Sequence, residues 1–569
     1  MNDNDILGFE EKIVESFVLE NFDDFAARKE SFLTHILEMD KELKLILNND
    51  LVLSLERIIS LMPFPLTIVY EPYYVDRIYR DEYYTYYSKK HFGISRNTKR
   101  FIFFKGCYYK ESFLDGCNDK QQDIERDLIG MVVIKPTQTI GRMLINPFLL
   151  NIPSCYVRTT KFEISVLGRI YTVDAFPLSG QDSEVMTCAE VNMWQIMEYF
   201  GSRYSDYRTL LPSEMLDLIT ITSDVRMLPS DGLTVEQESH LFKNSGLSPK
   251  IYYKWLQYDG RKYVETYEPY LESPSLEEIL HFYVESGIPV LINLREKGNK
   301  EGINHSITCI GHAVNTTLDK LEAVDFSEED HEEKQEKQGK ILIDKTKNTE
   351  YNELSVLKSW SAVSGYVIME DHSTPYQVRR LDNLRFGNDG DGILYEIESF
   401  VVPLYKHVFM AAEDAYKIAI DLIDESRDSI GECLYRKSKS ETKEIIIRLF
   451  LTTSRAYKQF RVTNTCSLNE KVFFSQVAYP KFIWICEYGT LDAYRNHKAV
   501  GEFVIDATAS KNSSPVISIR HGDSVTYRGP SDPEEYVKLR RDLPIESEFK
   551  MFEENNLKLT NMKGGRHHG

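Results

Sequence analysis

The stretch that most constrains this chain is a polar loop running straight into an apolar helix: Ser179-Gly-Gln-Asp-Ser-Glu-Val-Met-Thr-Cys-Ala-Glu-Val-Asn-Met-Trp194. Ala189, Met193, Ile196 and Phe200 recur at spacings of three and four, which predicts a helix over 188–200 with one apolar face. Cys188 opens that helix, and Thr187 occupies the N-cap position. The first turn of a helix offers unpaired N–H groups and the positive end of the dipole, both of which favour a thiolate. Cys188 is therefore a candidate nucleophile. The alternative is that it is one small buried residue among eight cysteines. Gln181, on the same loop, is placed to donate its amide toward the carbonyl oxygen that the Cys188 N–H would also bind, as in an oxyanion hole.

Downstream, Gly287-Ile-Pro-Val-Leu-Ile-Asn-Leu reads as a buried strand, and Asn304-His305-Ser-Ile-Thr-Cys-Ile-Gly-His312 as a second one opened by a histidine. A lone histidine at a strand mouth is usually structural. Paired with a helix-capping cysteine upstream, His305 becomes a candidate general base. His312, after Gly311, reads as a turn residue. Ser364-Gly-Tyr-Val-Ile-Met-Glu-Asp371 reads as a strand ending in an acidic turn. Asp371 is the candidate that orients the imidazole, with Glu370, Asp344 and Asp325 as rivals.

The order of these pieces resembles the papain-like cysteine peptidases, most closely the double-glycine (bacteriocin-leader) branch. The residues that carry the resemblance are Gln181, the Cys188 helix start, the Gly-Ile-Pro-Val strand, the His305 strand and the acidic strand end at Asp371. Gly232-Leu-Thr-Val-Glu-Gln and Gly246-Leu-Ser-Pro resemble the middle of that branch. The likeness covers roughly residues 175–380. The chain departs from the pattern in a Gln–Cys gap one residue longer, in Ala-Glu after the cysteine where glycine is common, and in an insertion between His305 and Asp371. The resemblance implies an α+β fold, with a helix starting at the cysteine packed on an antiparallel sheet. It implies a cysteine hydrolase, foremost a peptidase, with Cys188, His305, Asp371 and Gln181 as catalytic residues. An acyl or amide transferase on the same fold, or a catalytically silent interaction scaffold, are the alternatives; a bacterial defence effector restrained by its flanks is a further one.

Three segments follow: 1–174, helical then α+β; 175–381, the peptidase-like domain; and 382–569, α+β. Helices are expected over 5–60, 73–92, 411–426 and 529–541. The tyrosines of 73–92 are expected to pack on one helix face. Strands are expected at 445–451, 482–487 and 502–505, with Trp484 and Cys486 in the core and Asp506 in a strand-end turn. Arg142 reads as an ordinary salt-bridge partner. Between Asp319 and Gln338 nine acidic and three basic residues mark a solvated insertion.

With 569 residues, 42% hydrophobic and 27% charged, the chain has a globular composition. Its net charge of −20 argues against nucleic acid as the main partner. The expected partner is a protein or peptide substrate, with further protein contacts through the flanking segments. No apolar run approaches the ~18 residues a membrane helix needs, so no membrane span is expected. The first residues, MNDNDILGFEEK, lack the basic and apolar regions of a secretory signal. The cysteines form no CxxC pair, so neither a zinc site nor a disulfide framework is expected, and a reducing cytoplasm is the simplest home. No cofactor motif occurs, and the GGRHHG tail reads as a tag remnant or frayed end.

Overall fold

The structure is a computed structural model. It describes residues 15–21 and 49–559, except 115–117, 183, 221–226, 231, 255, 259–262, 266–273, 299–303, 315–317, 319–320, 325–353, 372–373, 387–391, 439–443, 466, 511–513, 529–535 and 539–546. Most of the acidic insertion, Asp325, Asp344 and the GGRHHG tail lie outside these residues.

The protein is mixed α+β, built on three large sheets. The first is a meander of five antiparallel strands, Glu15–Leu19, Leu66–Tyr74, Thr98–Lys105, Leu128–Ile134 and Ile140–Ile145, each paired with the next. Phe17, expected in a helix, lies in its first strand. The described helix of that region is Asn49–Ser60. Of the segment 73–92, expected as a helix, Arg77–Thr85 is α-helical, capped by Asp76, whose carboxylate accepts the N–H groups of Ile78 and Tyr79, whereas Tyr73 and Tyr74 end the strand Leu66–Tyr74 and Tyr87 lies in a 3-10 turn.

The central sheet runs in the order Gln377–Arg379, Val363–Met369, His305–Val314, Val290–Glu296, Ile393–Leu404 and Leu384–Phe386, all antiparallel. Ser248–Tyr253 also pairs with Ile393–Leu404, and Cys155–Val157 pairs with both His305–Val314 and Leu557–Leu559. This sheet thus draws strands from all three sequence segments. Gly311 permits the docking of Cys155–Val157, because a Cβ there would collide with the Tyr156 carbonyl. The third sheet has seven strands, from Ser355–Lys358, parallel to Glu444–Thr453, through Phe482–Gly489, Gly501–Asp506, Val516–His521 and Ser524–Arg528 to Tyr536–Lys538. Residues 536–538, expected in a helix, are therefore strand. Trp484 and Cys486 are core residues, and Asp506 accepts the Thr508 N–H at its strand end, as expected.

Both faces of the central sheet are covered, so its strands bury apolar side chains on either side. Strand alternation sends Leu291, Val367, Met369 and Val401 to one side, where they pack with Trp194, Ile196, Met197 and the first sheet. It sends Ile292, Leu294, Ile307, Ile368 and Phe400 to the other, against Ile279, Leu280 and Tyr283 and the third sheet's Leu449 and Trp484. The helix Cys188–Arg203 lies in the first of these layers. Every residue from Ala189 to Phe200 is buried, so the polar side of the helix is not solvated. Its polar residues find partners instead: both oxygens of Glu198 accept from Arg77 Nη2 at 2.5 Å, with Arg142 at 3.9 Å.

Candidate active site

Cys188 is the first residue of the buried helix, half-exposed, with Thr187 at the N-cap. Thr187 caps through its backbone position only, since its hydroxyl donates to the Glu190 carboxylate. The loop before it is held from below. Gly180 N–H donates to Ile140 O at 3.0 Å, and Asp182 Oδ1 accepts the N–H groups of Glu184, Val185 and Met186 at 2.9–3.0 Å.

Sheet register brings the base and the acids together. Leu294 pairs with His305, and Thr308 pairs with Met369. Continuing that antiparallel register carries Glu370 and Asp371 to the level of Ile307 and Ser306, beside His305. His305 Nε2 lies 3.2 Å from Glu370 Oε1 and 3.8 Å from Asp371 Oδ1. Both carboxylates face the imidazole, and the rival Glu370 is the nearer. The period of two explains this: Glu370 shares the face of Ile368, and His305 the face of Ile307.

A hydrogen bond with the Cys188 side chain is among the interactions that act on the same imidazole. Burial alone would depress the His305 pKa. The hydrogen bonds to Cys188 and Glu370 and the charges of Asp371 and Glu370 overcome it and hold the ring up at about 10. Phe386 and Tyr395 wall the ring, with centroids 5.5 and 5.9 Å away.

Gln181 follows Gly180, and a Cβ on Gly180 would sit 3.4 Å from the Asp371 carbonyl oxygen. The backbone thus brings Gln181 to the edge of the same cluster. His305, Glu370 and Asp371 also present one ligand atom each within 4.8 Å of one another, a spacing a divalent cation accepts.

Asn192 was not visible as a site residue. It is fully buried one turn after Cys188, where its Nδ2 donates to Cys188 O at 2.7 Å and Ser306 O at 2.8 Å. Its Oδ1 accepts the Thr308 hydroxyl at 2.7 Å. One amide therefore ties the cysteine's turn to the histidine's strand. Behind it, Ser306 Oγ donates to Asn293 Oδ1 at 2.8 Å, and Asn293 donates to the buried Glu238 at 2.6 Å. A polar residue four positions after the cysteine, one helical turn on, was the available signal.

His312 is not a turn residue. It lies within the strand, where a bulge between Cys309 and Gly311 re-aims it toward Glu285, with Nε2 2.5 Å from Oε2.

The site thus belongs to an α+β protein in which a histidine faces two carboxylates and a helix-opening cysteine is hydrogen bonded to that histidine. No protein-family model matches the chain, and no curated protein matches it. Among the described residues no helix is long and apolar enough to cross a membrane.

Proposed function

We propose that the chain is a papain-like cysteine hydrolase, foremost a peptidase acting on a protein or peptide. The observation that carries this reading is the hydrogen bond of Cys188, at a helix N-terminus, with His305, whose Nε2 faces Glu370 and Asp371.

In this mechanism the Cys188 sulfur attacks a carbonyl carbon as thiolate while His305 carries the proton. The negative oxygen that develops is met by the Cys188 N–H and the Gln181 amide. The C–N bond breaks as His305 hands its proton to the leaving amine, and an acyl-cysteine remains. His305 then takes a proton from water, which attacks the acyl carbon and releases the acid and the thiolate. Glu370 and Asp371 keep the ring oriented and favour its charged form. An amine in place of water would make the same site a transferase.

The test is alkylation by iodoacetamide, followed by peptide mapping, in wild type and His305→Ala, with mapping of new protein termini in cells carrying wild type or Cys188→Ala. Preferential labelling of Cys188 that depends on His305, and termini lost with Cys188→Ala, support the proposal. Labelling no faster than that of the exposed Cys107 would support the silent scaffold instead.

A further inference from the structure

Away from the cysteine centre, a cavity of about 270 Å³ lies where the three sequence segments meet. Tyr156, His281, His312, Arg448, His497 and Lys558 line it. His312 stands seven residues after His305 on the same strand, about 20 Å away at strand rise.

The charges around this cavity do not balance. Its two carboxylates are already engaged. Glu285 is bound by His312 at 2.5 Å and by the Arg448 guanidinium, and Glu553 by Lys550 at 3.1 Å and His497 at 3.2 Å. Burial would raise the Glu285 pKa, but Arg448 and His312 hold it well below the usual carboxylate range, so it is ionised. Lys558 has no carboxylate at ion-pair distance among the described residues. Its ammonium donates to His497 Nε2 at 3.2 Å and reaches over the Tyr156 ring. Arg495, also at the lining, meets among the described residues only the exposed Asp492, at 3.7 Å. In a chain of net charge −20, these cations are gathered around one hollow.

The lining also holds unused hydrogen-bonding capacity. His281 and His312 are each about 4% exposed, and the Nδ1 atom of each ring is buried with no hydrogen-bond partner among the described residues. The same is true of Asn556 Oδ1. Burial and the neighbouring His312 push His281 down to about 3, so its ring is neutral. Such groups are costly to leave unmade, and three of them belong to one lining.

We propose that this cavity binds a small oxyanion of the phosphate class, independently of the cysteine centre. Lys558, and Arg495 with only the solvent-exposed Asp492 against it, supply the positive charge at its rim, and the rings of His281 and His312 supply polar contacts that a hydroxylated or protonated oxyanion can meet.

The test is calorimetric titration of the full chain with pyrophosphate at constant ionic strength. Wild type and Cys188→Ala should bind saturably and equally. The double variant Lys558→Gln/Arg495→Gln should bind at least tenfold more weakly. Both of those side chains are exposed, so the fold is retained, as circular dichroism should show. Lys481→Gln, an exposed charge elsewhere, should bind like wild type. Absence of saturable binding by wild type, or equal affinity in the double variant, would overturn the proposal. Loss of binding in Cys188→Ala would do so as well, by placing the anion at the cysteine centre. The first two of these results leave the peptidase reading untouched.

Discussion

Glu370 Oε1 lies 3.2 Å from His305 Nε2, closer than the Asp371 carboxylate on the next residue. The two acids are therefore not equivalent, since the Glu370 carboxylate is the one at hydrogen-bond distance from the ring nitrogen. Glu370→Gln should therefore slow iodoacetamide alkylation of Cys188 more than Asp371→Asn does, by about tenfold or more, since each pKa unit lost at His305 is worth about 1.4 kcal/mol. The readout is the second-order alkylation rate from pH 5 to 10, which separates a shifted titration from a misfolded site. Equal effects of the two variants would assign the orienting role to both.

His305 itself predicts a pH dependence of definite sign. Its folded pKa, about 10, is above the ordinary value of 6.5, so the folded state holds a proton that the unfolded chain gives up. The resulting stability is complete below about pH 6.5 and is lost as pH rises through about 10. Urea unfolding midpoints should fall over that window in wild type, and the fall should be smaller in His305→Gln. Parallel curves for the two proteins would refute the charged imidazole.

The order of these chemical pieces was legible because each sits at an element boundary that local sequence marks: a polar loop before an apolar helix, a histidine before an apolar strand. The buried strands were legible as apolar runs. Three things were not. Phe17 has a helical neighbour pattern but is captured by the edge of Leu66–Tyr74, a pairing decided about fifty residues away along the chain. The polar residues of the helix Cys188–Arg203 look solvent-facing, yet Arg77 and Arg142, both remote in sequence, neutralise Glu198 inside the protein. His312 looks like a turn residue after glycine, and only the bulge at Cys309–Gly311, imposed by pairing with Val363–Met369, aims it into the interior.

Asn192 makes the separation between cysteine and histidine a fixed one. Asn192→Ala removes both donors to the Cys188 and Ser306 carbonyls and leaves the buried Thr308 hydroxyl without its acceptor. The expected loss of stability is roughly 2–3 kcal/mol, the cost of stranding buried polar groups. Cys188 alkylation should slow in the folded variant as well, below its unfolding transition. A variant that loses stability while its alkylation rate is unchanged would make Asn192 a packing residue only.

Glu238 predicts an effect of opposite chemical origin. Burial is the main force that raises its pKa to about 8; the Asn293 hydrogen bond opposes the rise and the nearby Glu190 adds to it. The unfolded chain ionises this carboxyl near 4.5, whereas the folded protein keeps it protonated to about 8. The folded state therefore binds the extra proton, and its stability declines as pH rises between those values. Glu238→Gln removes the titration but keeps an oxygen to accept from Asn293 Nδ2, 2.6 Å from Oε2 in the native chain. The difference in urea midpoint between variant and wild type should be flat below pH 4.5, grow in favour of the variant toward pH 8, and level off above it. A difference that stays constant from pH 4 to 9 would show that Glu238 does not hold its proton in the folded protein.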